Sequence, residues 1–271
     1  ITVAPVAGNP LKAVITIGLG EDDNVGQTFK VVATTNDLDQ NNKPKTAEAI
    51  VTILENLEPS VATTRYIPMD KAGDTSDWLE IATVKASGGN RYSLIVRKDI
   101  IPSKSTTALL QSTINGWYSG TSTLAADAAL RKVAVANTSA QNPGYQPSIT
   151  VGLSAPVPGK IGLTDEGTGF GLSYAEAALF CSLAREMNNG GGNFVDSSDA
   201  AKANYNALGD AQTNNIKLRS TNAASDYPGT CLYHTSHPGT VGRYYLSELP
   251  VMPAMWINAT EADKAGLFAN R

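Results

Sequence analysis

Cys231, His234 and His237 stand three residues apart, and thiolate and imidazole are the ligands of tetrahedral zinc. An extended chain cannot bring all three to one point. Residues 231 and 237 share one face while 234 takes the other. His237-Pro238-Gly239 is also a turn signal. The segment is therefore read as a hairpin with an inward cysteine, in preference to a metal centre. Asp37, Asp39 and Asn41, with Glu48 twelfth from Asp37, place oxygens as a calcium loop does. Asn42 occupies the position where such a loop needs glycine, Pro44 interrupts it, and its flanks read as strands. A solvated hairpin loop is the preferred reading, with Ca2+ as the alternative; no other cofactor is expected. Gly167-Thr168-Gly169-Phe170-Gly171 has glycine spacing like a phosphate loop but lacks its lysine, and reads as the entry to a helix. Cys181 and Cys231 either pair in an oxidising compartment or stand as buried thiols. No Ser-His-Asp grouping can be assigned, so the chain is read as a non-enzyme.

The richest segment runs from Thr221 to Ser247. Asn222, Asp226, Tyr227, Tyr233, His234, His237, Arg243, Tyr244 and Tyr245 combine rigid aromatic area with adaptable hydrogen bonding. Paratopes use the same mixture. Rings that stack on a sugar and polar groups that bind its hydroxyls would suit a glycan equally. The competing reading puts half of these tyrosines in the core.

Elements must position those residues. Leu11–Ile17, Thr28–Thr35 and Ala47–Leu54 are Val/Ile/Thr-rich and bounded by turn residues, as strands are, and Val61–Ile67 is a fourth candidate. Their spacing suits a small sandwich of immunoglobulin type, though 65 residues is short for one. The leading segment, with Ile1, Val3 and Val6, either completes the sheet of a neighbouring subunit or pairs in its own, and own-sheet pairing is favoured. Beyond a linker at Asp70–Asp77 the pattern changes. Trp78–Val84 and Arg91–Arg97 read as a hairpin. Leu109, Leu110, Ile114 and Trp117 share a helix face after Ser105 as cap, and Leu124–Val133 is a second helix. Ser173 and Glu176 form a capping box for a helix reaching Met187, with Leu179, Phe180, Leu183 and Met187 as its buried stripe. Ser198–Leu208 is a last helix, stopped by Gly209. Strands follow at Ile216–Ser220 and over Leu249–Asn258, and Leu267 and Phe268 pack back from a polar tail.

The 271 residues carry only 17% charge and a net charge of −4. Nucleic-acid binding wants a basic stripe, and adsorption to anionic membranes wants basic clusters; neither is present. No apolar run reaches the roughly 20 residues of a membrane helix. Hydroxyl and amide side chains replace charge, a composition frequent in extracellular proteins.

From Gly73 onward, the order of motifs resembles a family of uncharacterised bacterial domains common in surface and phage proteins. The matching residues are Gly73-Asp74-Thr75 and Trp78, Leu94-Ile95-Val96-Arg97-Lys98-Asp99-Ile100-Ile101, Leu172-Ser173-Tyr174-Ala175-Glu176-Ala177, Leu218-Arg219-Ser220 and Pro253-Ala254-Met255-Trp256-Ile257-Asn258. Ile216 and Lys217 replace two aromatics of that family, and Met252 replaces an arginine. The resemblance implies a C-type-lectin-like fold, the fold that formylglycine-generating enzymes and variable receptor-binding proteins share. The cysteine pair of those enzymes is not visible here, so their activity is not carried over. The expectation is an α+β protein: a β-sandwich-like module at 1–68 and a C-type-lectin-like domain at 69–271. Ile216–Ser220 and Val251–Asn258 would be that domain's core strand pair. The expected function is structural. The chain would be a subunit of a bacterial surface filament or adhesive layer, self-associating through Ile1, Val3 and Val6. The alternative is an adhesin or phage receptor-binding protein that takes a surface glycan or protein on 221–247.

Overall fold

The computed structural model describes residues 2–6, 9–16, 28–38, 40–41, 44–52, 58–59, 65–69, 76–85, 89–119, 128–138, 152–161, 169–187, 193–221, 229–234, 237–245 and 248–270. It mixes helices and sheets, an α+β architecture. The chain divides into two compact units. One is 1–55 with 85–89, and the other is 56–84 with 90–271.

In the smaller unit, β1 (Thr2–Val6) pairs antiparallel with β2 (Asn9–Thr16), from Thr2↔Thr16 to Val6↔Asn9. Val3 and Val6 thus lie in an intrachain ladder, while Ile1 falls outside the described residues. β3 (Thr28–Leu38) pairs with β4 (Pro44–Thr52). Among the described residues these hairpins are separate two-stranded sheets. The β3–β4 register places the backbone of Asp37 and Glu48 from the calcium pattern. Glu48 faces Val32, whereas Leu38 faces Pro44, so Asp37 and Glu48 belong to different ends of the ladder. Four residues of strand, about 13 Å, separate Glu48 from Pro44. Asn41 is in the turn, and Asp39 lies outside the described residues.

The larger unit holds two main sheets. β5 (Glu58–Pro59) and β6 (Arg65–Ile67) both pair with β7 (Trp78–Lys85). The strand at the end of Val61–Ile67 therefore extends this sheet and not the N-terminal hairpins. β8 (Arg91–Arg97) lies beside β7, and β9 (Lys104–Ser105) leads to α1 (Leu110–Ser119). α2 (Ala128–Val133) follows at the C-terminal half of the helix expected over 124–133. β10 (Ala134–Thr138), β11 (Ala155–Ile161) and β12 (Gly169–Gly171) continue the sheet. α3 (Tyr174–Phe180), β13 (Ala184–Met187), β14 (Asn193–Asp196) and α4 (Asp199–Ala207) come next. β15 (Ile216–Lys217), β16 (Gly229–Leu232), β17 (Thr240–Tyr244), β18 (Leu249–Pro250) and β19 (Pro253–Asn258) precede α5 (Ala259–Lys264) and β20 (Ala269–Asn270).

The first sheet runs β11-β10-β19-β8-β7-β6-β20 and the second β14-β13-β17-β16-β15. β15 and β19 therefore belong to different sheets and do not form the expected core pair. β19 is buried at all six positions and β8 at its central five, as strands covered on both faces must be. Trp78, Ile95, Ile101, Leu110, Ile114, Met255 and Ile257 form one core cluster. Leu110, Ile114 and Tyr118 are the buried stripe of α1; Leu109, expected on that stripe, is 57% exposed.

The helix over 173–187 is shorter than its periodicity suggests. Ser173 caps it through the full capping box, but it ends at Phe180, and 184–187 form β13. The stripe expected at Leu183 and Met187 is therefore not helical. Ser198 caps α4 as expected. The tail is anchored by charge and stacking. Asp263 of α5 pairs with both Arg65 and Arg91, and the Arg65 guanidinium lies 3.7 Å from the Phe268 ring centroid. Arg65 also reaches the buried Glu80 at 3.3 Å. Burial pushes the Glu80 carboxyl up, against the Ser93 hydrogen bond and the charges of Arg65 and Arg91. No helix among the described residues is long and apolar enough to cross a membrane.

Candidate functional site: an aromatic ribbon

The five-stranded sheet places the tyrosines. β16 and β17 form the expected hairpin, with Gly229↔Tyr244 and Cys231↔Gly242 opposite each other. Tyr233 N–H donates to the Thr240 carbonyl, and Gly239 N–H returns the bond to the Tyr233 carbonyl. β13 runs parallel to β17 with Arg185↔Val241, and pairs with β14 through Glu186↔Phe194. Side chains alternate across a strand, so this register sorts the sheet. Lys217, Cys231, Gly242, Tyr244, Glu186 and Phe194 share one face, while Arg185 and Arg243 take the other.

Five rings run across that first face and its turn. Phe194 and His237 have centroids 4.9 Å apart, His237 and Tyr233 6.3 Å, Tyr233 and Tyr244 5.4 Å, and Tyr244 and Tyr245 5.0 Å. Tyr244 is buried and supports its neighbours; Tyr245 is 63% exposed, and His237 is exposed. Asn215 fixes this arrangement. Its amide donates to the Tyr244 hydroxyl at 2.8 Å, and its oxygen accepts from His234 N–H at 2.6 Å. The structure thus brings Tyr233, His237, Tyr244 and Tyr245 together, turns Arg243 away, and uses the His234 backbone as a tether. Asn222, Asp226 and Tyr227 lie outside the described residues.

Phe194 and Asn215 were missed by sequence reasoning because they precede the polar segment. Only the sheet order β14-β13-β17 brings Phe194 in. Asn215 had one visible signal, an amide side chain directly before the apolar strand.

The Cys-His-His spacing resolves as a hairpin. Cys231 is buried against Tyr244 and Leu249 while His237 is exposed at the tip. No group of three His, Cys, Asp or Glu suited to a metal occurs among the described residues. Cys181 and Cys231 are both free buried thiols. Burial, reinforced by the Glu176 charge, pushes Cys181 up to about 12. Burial pushes Cys231 further up, with the neighbouring Lys217 opposing it. Both therefore stay protonated and unreactive at neutral pH. Burial also pushes the Lys217 amine down, with Cys231 acting in the opposite direction.

The motif residues serve a different purpose: they hold the scaffold under the ribbon. Glu176 is fully buried and Arg219 pairs with it through both terminal nitrogens. Arg219 also donates to the Gly171 carbonyl at 3.0 Å. Glu176 accepts from the backbone of Ser173 and Ser154. Ser220 Oγ accepts from Tyr174 N–H, and Ser154 Oγ accepts from the Trp256 indole at 3.0 Å. The Leu-Ser-x-x-Glu-Ala, Leu-Arg-Ser and Pro-Ala-x-Trp-Ile segments thus meet in one buried network. Burial by itself pushes Glu176 up; the Arg219 charge and the hydrogen bonds from Arg219, Ser154 and Ser173 together override it, leaving the carboxyl below its ordinary value.

Comparison with known proteins finds no matching family model, no matching curated protein and no matching solved structure.

Proposed function

We propose that this chain is an extracellular recognition protein that attaches to a surface glycan or protein through the aromatic ribbon. The larger unit is a C-type-lectin-like scaffold in this reading, and the smaller one an immunoglobulin-like β module. The observation that carries it is the contiguous series of rings Phe194, His237, Tyr233, Tyr244 and Tyr245 along the β16–β17 hairpin. Scattered surface aromatics need no explanation, whereas a connected, partly exposed series held by the half-buried Asn215 does. Rigid rings bind at small entropic cost. Tyr245→Ala removes a ring that is 63% exposed. It is expected to weaken binding on a glycan and surface-protein array by about tenfold or more, as hot-spot aromatics do. An array on which the unaltered protein binds nothing, or on which the variant binds equally, sinks the reading.

Assembly into a filament or adhesive layer is the second reading, favoured by a separate observation. Each N-terminal hairpin is a two-stranded sheet among the described residues, so its outer edges offer backbone donors and acceptors. A lone hairpin is marginal in water, and a third strand from another copy would stabilise it. Removing residues 1 to 9 is expected to abolish polymers seen by electron microscopy; unchanged polymers would exclude assembly through this edge.

A further inference from the structure

The ring series ends at an open sheet edge. Phe194 belongs to β14, the terminal strand of β14-β13-β17-β16-β15, and among the described residues β14 pairs with β13 alone. Ladder alternation fixes which of its main-chain groups are left over. The Ser197 N–H donates to the Leu183 carbonyl at 3.0 Å, one step beyond the Ala184↔Asp196 pair of the same register. Residues of an antiparallel strand turn their N–H and C=O alternately toward one neighbour and the other. Asn193 and Val195, in step with Ser197, therefore bond to β13. Phe194 and Asp196 present theirs to the open side. That side is accessible: Asn193 and Asp196 are exposed, and Phe194 and Val195 half-buried. The other ends of the two main sheets are blunted. β11 carries Pro156 and Pro158, and β15 and β20 are two residues long. β14 has four residues and neither proline nor lysine. Phe194 and Asp196 share the ribbon's face, two positions apart. The Phe194 ring leans on His237, and the exposed Asp196 meets no cation among the described residues.

We propose that β14 takes an extended peptide of a partner protein as an antiparallel sixth strand, with an aromatic residue opposite Phe194 and a lysine or arginine opposite Asp196. This inference rests on the recognition reading above and chooses a protein partner over a glycan. Strand addition draws affinity from main-chain hydrogen bonds and selectivity from alternate side chains. The outward groups of Phe194 and Asp196 ask for N–H and C=O repeating at every second residue, which a peptide has and a glycan lacks. An aromatic residue opposite Phe194 lengthens the ring series by one. A basic residue opposite Asp196 gives that carboxylate its cation, and cross-strand pairs of both kinds favour pairing. The chain's net charge of −4 also favours a basic peptide. Antiparallel direction sets the order: the basic residue precedes the aromatic one by two.

The test titrates the whole protein with the capped peptide Thr-Val-Thr-Lys-Thr-Phe-Thr and follows its backbone amides. The Phe194 and Asp196 amide resonances are expected to shift saturably, and their hydrogen exchange to slow by about tenfold or more at saturation. N-methylation of the peptide at its lysine or phenylalanine, whose N–H groups face β14, should weaken binding by about tenfold or more, since each loses a hydrogen bond and gains a clash. N-methylation of the threonine between them, whose N–H faces away, should leave binding intact. Glutamate in place of the lysine should weaken binding by about threefold, and Asp196→Lys should reverse that preference. Absence of a saturable shift, or equal loss from all three N-methylations, overturns the proposal. The methylation series uses the unaltered protein, so it decides whatever Asp196→Lys does to folding. Slowed exchange of the same two amides that grows with protein concentration, without peptide, assigns the edge to a second copy and also overturns it. Should the peptide fail while array binding remains sensitive to Tyr245→Ala, the recognition reading stands without strand addition.

Discussion

Arg219→Ala is expected to destabilise the protein by about 3–5 kcal/mol, because it leaves Glu176 buried without its cation. The Arg219 side chain is only 12% exposed and that of Glu176 is 0% exposed, so solvent cannot take over. The pH dependence gives a sharper signature than the loss itself. In the unaltered protein the folded-state pKa of Glu176 lies below its unfolded value. Its contribution to stability is present above the unfolded pKa and is lost as pH falls through the folded one. Without Arg219, burial dominates and the folded pKa rises above the unfolded value. The charged carboxylate then costs stability near neutrality, and protonation relieves that cost as pH falls. The slope of stability against pH should therefore reverse in the mildly acidic range, as read by urea unfolding at a series of pH values. Glu176→Gln combined with Arg219→Met should recover part of the loss, since replacing both members of a buried pair is far milder than breaking it. A loss under about 1 kcal/mol with an unchanged slope would show that water reaches this network.

Local signals carried much of this fold. The strands at Trp78–Lys85 and Arg91–Arg97, the Ser173–Glu176 capping box and the helix after Ser198 lie where residue pattern and cap chemistry put them. Each depends on neighbours within a few positions. Predictions that needed distant partners fared differently. Leu183 and Met187 continue a helical period, yet the chain turns at Cys181, and Ala184–Met187 pairs with β14 and β17. Periodicity registers that these residues are apolar; it does not register that a sheet edge is waiting for them. The site shows the same division. The tyrosines were legible because aromatic density is a local property. Phe194, Asn215 and Glu186 were not, since each meets the ribbon through a partner 19 or more residues away in sequence. The buried Glu176–Arg219 pair was visible only as two separate motifs. Nothing in either segment announces that a carboxylate and a guanidinium 43 residues apart neutralise each other.

Gly239→Ala should be nearly as damaging, at about 3 kcal/mol, and for two separable reasons. Gly239 closes the β16–β17 turn at φ +74°, where an L residue costs about 1–2 kcal/mol. A methyl group there would also press into Leu183 and stand 2.8 Å from Tyr205 Cε1, and overpacking of this kind costs about 1–3 kcal/mol. The turn cannot simply move aside. The Gly239 carbonyl accepts from Leu183 N–H at 2.7 Å, and its N–H donates to Tyr233 at 2.8 Å. Tyr233 and His237 flank this turn, so ring contacts should loosen together with the backbone. Thermal unfolding measures the first effect, and the Tyr233 and His237 resonances measure the second. A double-mutant cycle with Leu183→Ala apportions the cost. Truncating Leu183 removes the crowding but leaves the backbone strain, so the Gly239→Ala penalty should shrink in that background without vanishing. A penalty that disappears would make crowding the sole constraint. An unchanged one would make Gly239 a requirement of the turn alone, and the close approach of Leu183 incidental to the ribbon's geometry.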